Sequence, residues 1–281
     1  LLFILFFTFM IIRIGGQDPI GLLAGPLATT EELQLIETEL GLDKPFFVQF
    51  WLYITNVVQG DFGNSWLSNR SVSAEFLDRL PITIELLFWG TGIGTIIGIP
   101  VGLRAAWRHD KAFDQIARFV SLLGFSTPTY FLGLLMILVF FYYLGWAPPA
   151  MGRLSMMVDT PPTITNSYLI DGLLAADWEA ARSAFSHLVM PVIAIAIISA
   201  APIIKQTRAI AMDVLSSEFV RNAEAQGLAQ TVRQRMVLRN SITPVITFVG
   251  AELTALVGVT SVIEFIFAWG GIGQYGLQAI V

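Results

Sequence analysis

Residues 82–106, 116–146, 188–204 and 244–268 are four long, almost uninterrupted apolar runs, and they leave the chain few folds to choose from. A bilayer core offers no water to backbone N–H and C=O groups, so a spanning segment must be a helix or part of a closed barrel. About 20 apolar residues suit a helix, whereas a barrel strand alternates over roughly 10. Only 13% of residues are charged, about half the share found in soluble domains. A shorter run at residues 1–12 reads as part of a first span, because no small-residue cleavage pattern follows Arg13 as it would after a signal peptide. The tail Gln278-Ala279-Ile280-Val281 looks like the beginning of another span. The expectation is an all-α membrane protein forming one transmembrane domain over residues 1–281, with five spans visible and a sixth expected.

The connecting segments alternate in charge. Residues 13–80 carry four basic side chains against nine acidic ones, and residues 147–187 carry Arg153 and Arg182 against four acids. Residues 104–118 carry four basic groups against Asp110 and Asp114, and residues 205–243 carry six against Asp213, Glu218 and Glu224. Basic loops stay on the cytoplasmic side, so 13–81, 147–187 and 269–281 are expected to face the periplasm and 205–243 the cytoplasm. Within the first outer region, Leu33, Ile36 and Leu40 share a helical face that Gly41 is expected to end. The aromatic stretch that follows, from Lys44 to Trp66, suits the membrane interface. Together they read as a packed outer cap or a ligand site.

Several chemistries are excluded. Cysteine is absent, so there are no disulfides or thiolate metal sites. No Gly-Lys dipeptide exists to build a phosphate loop, and the two histidines, His109 and His187, lie far apart in sequence. Gly271-Ile272-Gly273-Gln274-Tyr275-Gly276 matches a dinucleotide fingerprint in letters only, since a membrane span precedes it in place of a strand. Neither a catalytic centre nor a nucleic-acid partner is expected.

Gly90, Gly94, Gly98 and Gly102 recur every four residues along the second span, a stripe that permits close backbone approach in lipid and predicts a helix-packing seam. Glu85, Glu252 and Glu264 sit in or at the edges of spans. A charge at bilayer depth costs about 2.5–3.5 kcal/mol on insertion scales, so such groups face a bundle interior or water. All three are candidates for a translocation path, Glu252 being the deepest. The alternative is a carboxyl group that stitches helices together by hydrogen bonds.

The polar segment 218–245, placed between two apolar runs, reads as helix on both sides of Gly227. Ser217 is expected to cap a helix from Glu218, with Phe219, Ala223 and Gln226 on one side and Arg221 and Glu224 elsewhere. Gly227 permits a sharp bend, a second helical run carries Arg233, Arg235 and Arg239, and Pro244 is expected to open the fifth span. A short helix held between two spans can pass a push from a cytoplasmic partner into span tilt, or rest on anionic lipid.

FVRNAEAQGL followed by RMVLRNSITPVIT resembles the coupling motif of the permease subunits of ATP-binding-cassette importers, in the oligopeptide, dipeptide and nickel branch. GLDKPFFVQFWLYITNVVQGDFGNSW, SLLGFSTPTYFLGLLMILVFFYYLGW and SVIEFIFAWGGIG resemble stretches of the same family in the same order. Arg221 stands where the general motif has a glutamate, Asn222 where it has a small residue, and Gly270-Gly271 where a Pro-Gly pair is common. The resemblance implies the type I importer transmembrane fold in a prokaryotic inner membrane. It further implies half a pore for di- or oligopeptides or a similar solute, paired with a second homologous permease. Two cytoplasmic ATPases would bind the ATP and Mg2+, this chain binding no cofactor or metal, and an extracytoplasmic solute-binding protein would deliver substrate. Glu218, Phe219, Arg221, Ala223, Glu224 and Gly227 would then couple to an ATPase. Two readings compete with it: a secondary transporter in which Glu252 carries a coupling proton, and a scaffold that only docks cytoplasmic proteins.

Overall fold

The computed structural model describes residues 2–15, 29–39, 41–65, 68 and 70–279. Leu1, Leu40, Ile280 and Val281 lie outside the described residues, as does the side chain of Ile36, so the Leu33 face and the beginning of a sixth span are not described in full. Among the described residues regular structure is helical, apart from an isolated antiparallel bridge between Asn64 and Ser71. The chain divides into two compact units, residues 1–78 with 278–281, and residues 79–277.

In the first unit, α1 (Leu2–Gly15), α2 (Thr30–Glu39) and α3 (Phe46–Val58) are short helices. Gly41, at a φ of +65°, stands just beyond α2, where the sequence placed its stop. α1 and α3 meet through rings: Phe6 lies 5.1 Å from Phe50, and Phe9 lies 5.4 Å from both Phe46 and Tyr53. Edge-on and offset ring pairs of this kind add to plain area burial. The opposite edge of α3 leaves Phe47 and Trp51 exposed.

The second unit is built around one helix. α4 (Val72–Trp107) is followed by α5 (Ala112–Ser126) and α6 (Thr129–Met136), the last continuing as a π-helical stretch to Tyr143. Next come α7 (Tyr168–Leu174), α8 (Trp178–Leu215), α9 (Glu218–Ala225), α10 (Gln230–Ile266) and α11 (Ile272–Gln278). α8 touches α5, α6, α7, α9 and α10 and is buried along most of its length. The Asp177 carboxylate starts it by accepting from the Ala180 N–H at 3.0 Å, which satisfies one of the orphan donors of a helix N-terminus.

α4, α8 and α10 are each long and apolar enough to cross a membrane, and all three extend beyond the apolar runs that announced them. Two local expectations change. The run 116–146 is not one continuous helix: α5 and α6 meet at a 99° bend. Pro128 disfavours the helical region at the residue before it, and Thr127 accordingly adopts an extended ψ of 120°. Pro244 does not open a helix either, because α10 begins at Gln230 and carries Pro244 inside it. Such interior prolines are tolerated in membrane helices, where neighbouring groups satisfy the freed carbonyl.

Candidate coupling helix and intramembrane carboxylates

α9 is seated by two side chains. Val220 and Ala223, three residues apart and so on one face, are 4% and 5% exposed. Val220 packs with Ala106 of α4, Ala211 of α8 and Val237 of α10. The expected apolar side therefore shifts by one position: Ala223 belongs to it, but Val220 replaces Phe219, which is exposed together with Gln226. Ser217 occupies the cap position without capping; its hydroxyl donates backward to the Val214 carbonyl. At the other end the Gly227 N–H donates to Glu224 O at 2.9 Å and the Leu228 N–H to Ala223 O at 3.0 Å. This pair of bonds is a Schellman stop, which requires the left-handed φ of +73° that Gly227 supplies.

The outward surface of α9 consists of Glu218, Phe219, Arg221, Asn222 and Glu224. Glu224 forms an ion pair with Arg233 of α10; the carboxylate is well exposed, so the pair adds little stability. Arg221, Arg235 and Arg239 make no ion pair among the described residues. α9 is thus a small, firmly seated helix with a charged outer face, joined at its ends to the two long helices α8 and α10.

The four glycines of α4 line up on α8. A Cβ at Gly90 would strike Ile195, one at Gly94 would strike Ser199, one at Gly98 would lie 2.7 Å from Ile203 Cγ2, and one at Gly102 would lie 2.7 Å from Thr207 Cβ. The receiving side chains also recur every four residues, a matching stripe in α8 that could have been read from its sequence. In lipid, helices associate by such close packing, since burial of apolar area supplies no drive.

The three carboxylates are placed quite differently. Glu264 is fully buried and accepts from the Thr83 hydroxyl and from the Gln274 N–H at 2.9 Å. Thr83 Oγ1 in turn accepts from the Ile272 N–H at 2.9 Å, so the pair ties α4 and α10 to the first turn of α11. Glu85 is also buried and accepts from the Ser167 hydroxyl. Glu252 is half-exposed and has no hydrogen bond or ion pair among the described residues.

Two charged clusters escaped the sequence reading. Near Glu85, Arg153 stacks 3.8 Å above the Tyr168 ring and donates to Asn166 O at 2.7 Å. Burial lowers the Arg153 guanidinium from its ordinary range, while Tyr168 and Glu85 pull it back. Arg153, Glu85 and Trp269 border a cavity of ≈ 10 Å³, the room of about one water, and the buried Trp269 indole N–H has no acceptor among the described residues. At the other end of α8, Arg208 grips the wholly buried Asp114 with two parallel bonds, Nε to Oδ1 and Nη2 to Oδ2 at 2.8 Å. That fork geometry is specific to arginine. His109, Asp110 and Asp114 come close enough to suggest a metal site, but the Asp114 oxygens already accept from Arg208 and from the Asp110 N–H.

Comparison with known proteins covers nearly the whole chain. The family described as the inner membrane component of binding-protein-dependent transport systems matches residues 98–281, and its N-terminal companion matches residues 1–87. A dipeptide transport system permease protein of Alkalihalophilus pseudofirmus is 34% identical over 97% of this chain and 82% of its own. A probable D,D-dipeptide transport system permease protein of Escherichia coli K12 is 34% identical, over 97% of this chain and 80% of its own. A glutathione transport system permease protein of Salmonella typhimurium is 33% identical, over all of this chain and 82% of its own.

Proposed function

Since the chain belongs to the family of inner-membrane components of binding-protein-dependent transport systems, we propose that it forms half of an ATP-driven import pore for di- or oligopeptides and receives its drive through α9. It is an all-α, multi-pass permease subunit of a prokaryotic inner membrane with the type I importer fold, and it is not itself an enzyme. Two cytoplasmic ATPases, holding the ATP and Mg2+, would each press on one coupling helix. A second homologous permease would complete the pore, and a solute-binding protein would deliver substrate from outside.

The observation that carries this reading is how α9 is held. Val220 binds it to α4, α8 and α10 at once, with Ala223 buried beside it, so a displacement of α9 moves three long helices together. Ala223 seats the helix, while Glu218, Phe219, Arg221 and Glu224 form the surface offered to the ATPase. The Schellman turn at Gly227 lets α10 leave at an angle without disturbing that seat.

The test is co-purification of an ATPase with the detergent-solubilised native complex. Phe219→Ala with Arg221→Glu changes only exposed side chains and is expected to release the ATPase from a chain that still folds. Retention of the ATPase by this variant, or its absence from the wild type, defeats the coupling role. The unpaired Glu252 favours one competing reading, a proton-coupled transporter. That reading requires uptake to continue without ATP and to collapse when a protonophore dissipates the proton gradient.

A further inference from the structure

α10 is packed at both ends of its inward face and open between them. Val245, Leu256 and Ile263 are each at most 1% exposed, and at 3.6 residues per turn they lie within about 40° of the direction in which Glu252 projects. Yet no residue from Ile246 to Ala255 is buried, and on the side of Glu252 the neighbouring Phe248 and Val249 are only partly covered. For about three turns its own bundle covers the inward face only in part, and Glu252 projects into that partly open stretch.

The carboxylate there has no counter-charge among the described residues. The four long apolar runs contain only two basic side chains, Arg104 and Arg118, both near run ends. The chain therefore supplies no cation at the depth of Glu252, although ionisable groups inside membranes pair with one another or face water. A protein resting on the outward wall of α10 would not supply one. The outward wall of α10, where Thr243, Thr247 and Thr254 are exposed, points roughly 140–180° away from Glu252. A protein laid on that wall would cover the opposite side of the helix.

We propose that Glu252 is a transit site for the protonated amine of the solute, and so selects for solutes with a free amino group as they pass the middle of the bilayer. This rests on the permease reading above. The opening admits a small mobile cation from the pore lumen, and the unpaired carboxylate lowers the electrostatic barrier to a positive charge at that depth. A single carboxylate favours the cationic end of a peptide without binding it so tightly that release fails. Glu85 and Glu264 cannot serve in the same way, because each is buried and already accepts hydrogen bonds from its own chain.

The experiment uses membrane vesicles that carry the full native protein. A hydrophobic carbodiimide, which modifies protonated carboxyl groups inside membranes, is added in mildly acidic buffer, and the modified Glu252 peptide is quantified by mass spectrometry. Diglycine, with its free amine, is expected to slow modification severalfold by holding the carboxylate ionised; N-acetyldiglycine is expected to have no effect. In the same vesicles Glu252→Gln should lower uptake of diglycine about tenfold, a loss of about 1.4 kcal/mol, and leave Glu252→Asp closer to wild type. The proposal is overturned if Glu252 resists modification, which would mean that a partner's cation already neutralises it. It is equally overturned if diglycine gives no protection, or if both dipeptides protect alike. The modification and protection outcomes need no ATP hydrolysis, whereas uptake does, so failure of the import reading is recognised separately, by the co-purification test.

Discussion

Gly98→Ala is the sharpest probe of the α4–α8 seam. The added methyl would lie 2.7 Å from Ile203 Cγ2 and 3.0 Å from Ile203 Cβ, against an ordinary carbon separation of about 3.5–4.0 Å. Ile203 is β-branched and holds one strongly preferred rotamer in a helix, so it cannot swing clear, and relief requires the backbones to part. Overpacking of this kind costs about 1–3 kcal/mol. Against it stands the helix propensity that alanine gains over glycine, about 0.8–1 kcal/mol. Gly92→Ala isolates the two terms, because it lies in the same helix and its Cβ would meet nothing within 4 Å. The propensity gain cancels between the two variants, leaving a predicted difference of about 1–3 kcal/mol in favour of Gly92→Ala. Reversible unfolding of the purified chain in mixed micelles, titrated with a denaturing detergent, measures it directly. Equal shifts for the two substitutions would refute the seam as the place where α4 and α8 are held.

Two further outcomes are expected. Asp114→Asn should cost about 3–5 kcal/mol in the same titration, as breaking one half of a buried ion pair does; adding Arg208→Met should restore much of the loss, and an unchanged midpoint for Asp114→Asn would show that the pair is not holding α5 to α8. Glu264→Ala removes the acceptor of the Gln274 N–H and of the Thr83 hydroxyl, worth about 1–3 kcal/mol for each donor left unsatisfied; hydrogen exchange at residues 272–274 should accelerate, and unchanged protection there would mean that the turn holds without Glu264.

Much of the architecture could be read before any coordinates. The apolar runs announced α4, α8 and α10 because each is long enough to cross a bilayer and lipid permits few alternatives to helix. α9 was visible as a polar helix ended by Gly227, since a left-handed φ is written in glycine. The stripe from Gly90 to Gly102 was visible as a seam, but its partner was not. Spacing along one helix says which face is small; which helix fills it is a matter of three-dimensional packing.

Other features were decided only by tertiary contacts. The seat of α9 moved from Phe219 to Val220 because the burying surface comes from Ala106, Ala211 and Val237, residues more than a hundred positions apart at their extremes. Asp114 and Arg208 looked like two members of basic loops and became a fork across 94 residues. Depth set Glu252 apart from Glu85 and Glu264, but neither depth nor cost showed which of the three would find hydrogen-bond donors. Folding gave hydrogen-bond donors to Glu85 and Glu264 and left Glu252 half-exposed without any among the described residues. Local chemistry, helix length and side preference follow from the chain because they depend on neighbours in sequence. Whether a buried charge is satisfied or free depends on groups that only the packed bundle brings within hydrogen-bonding reach.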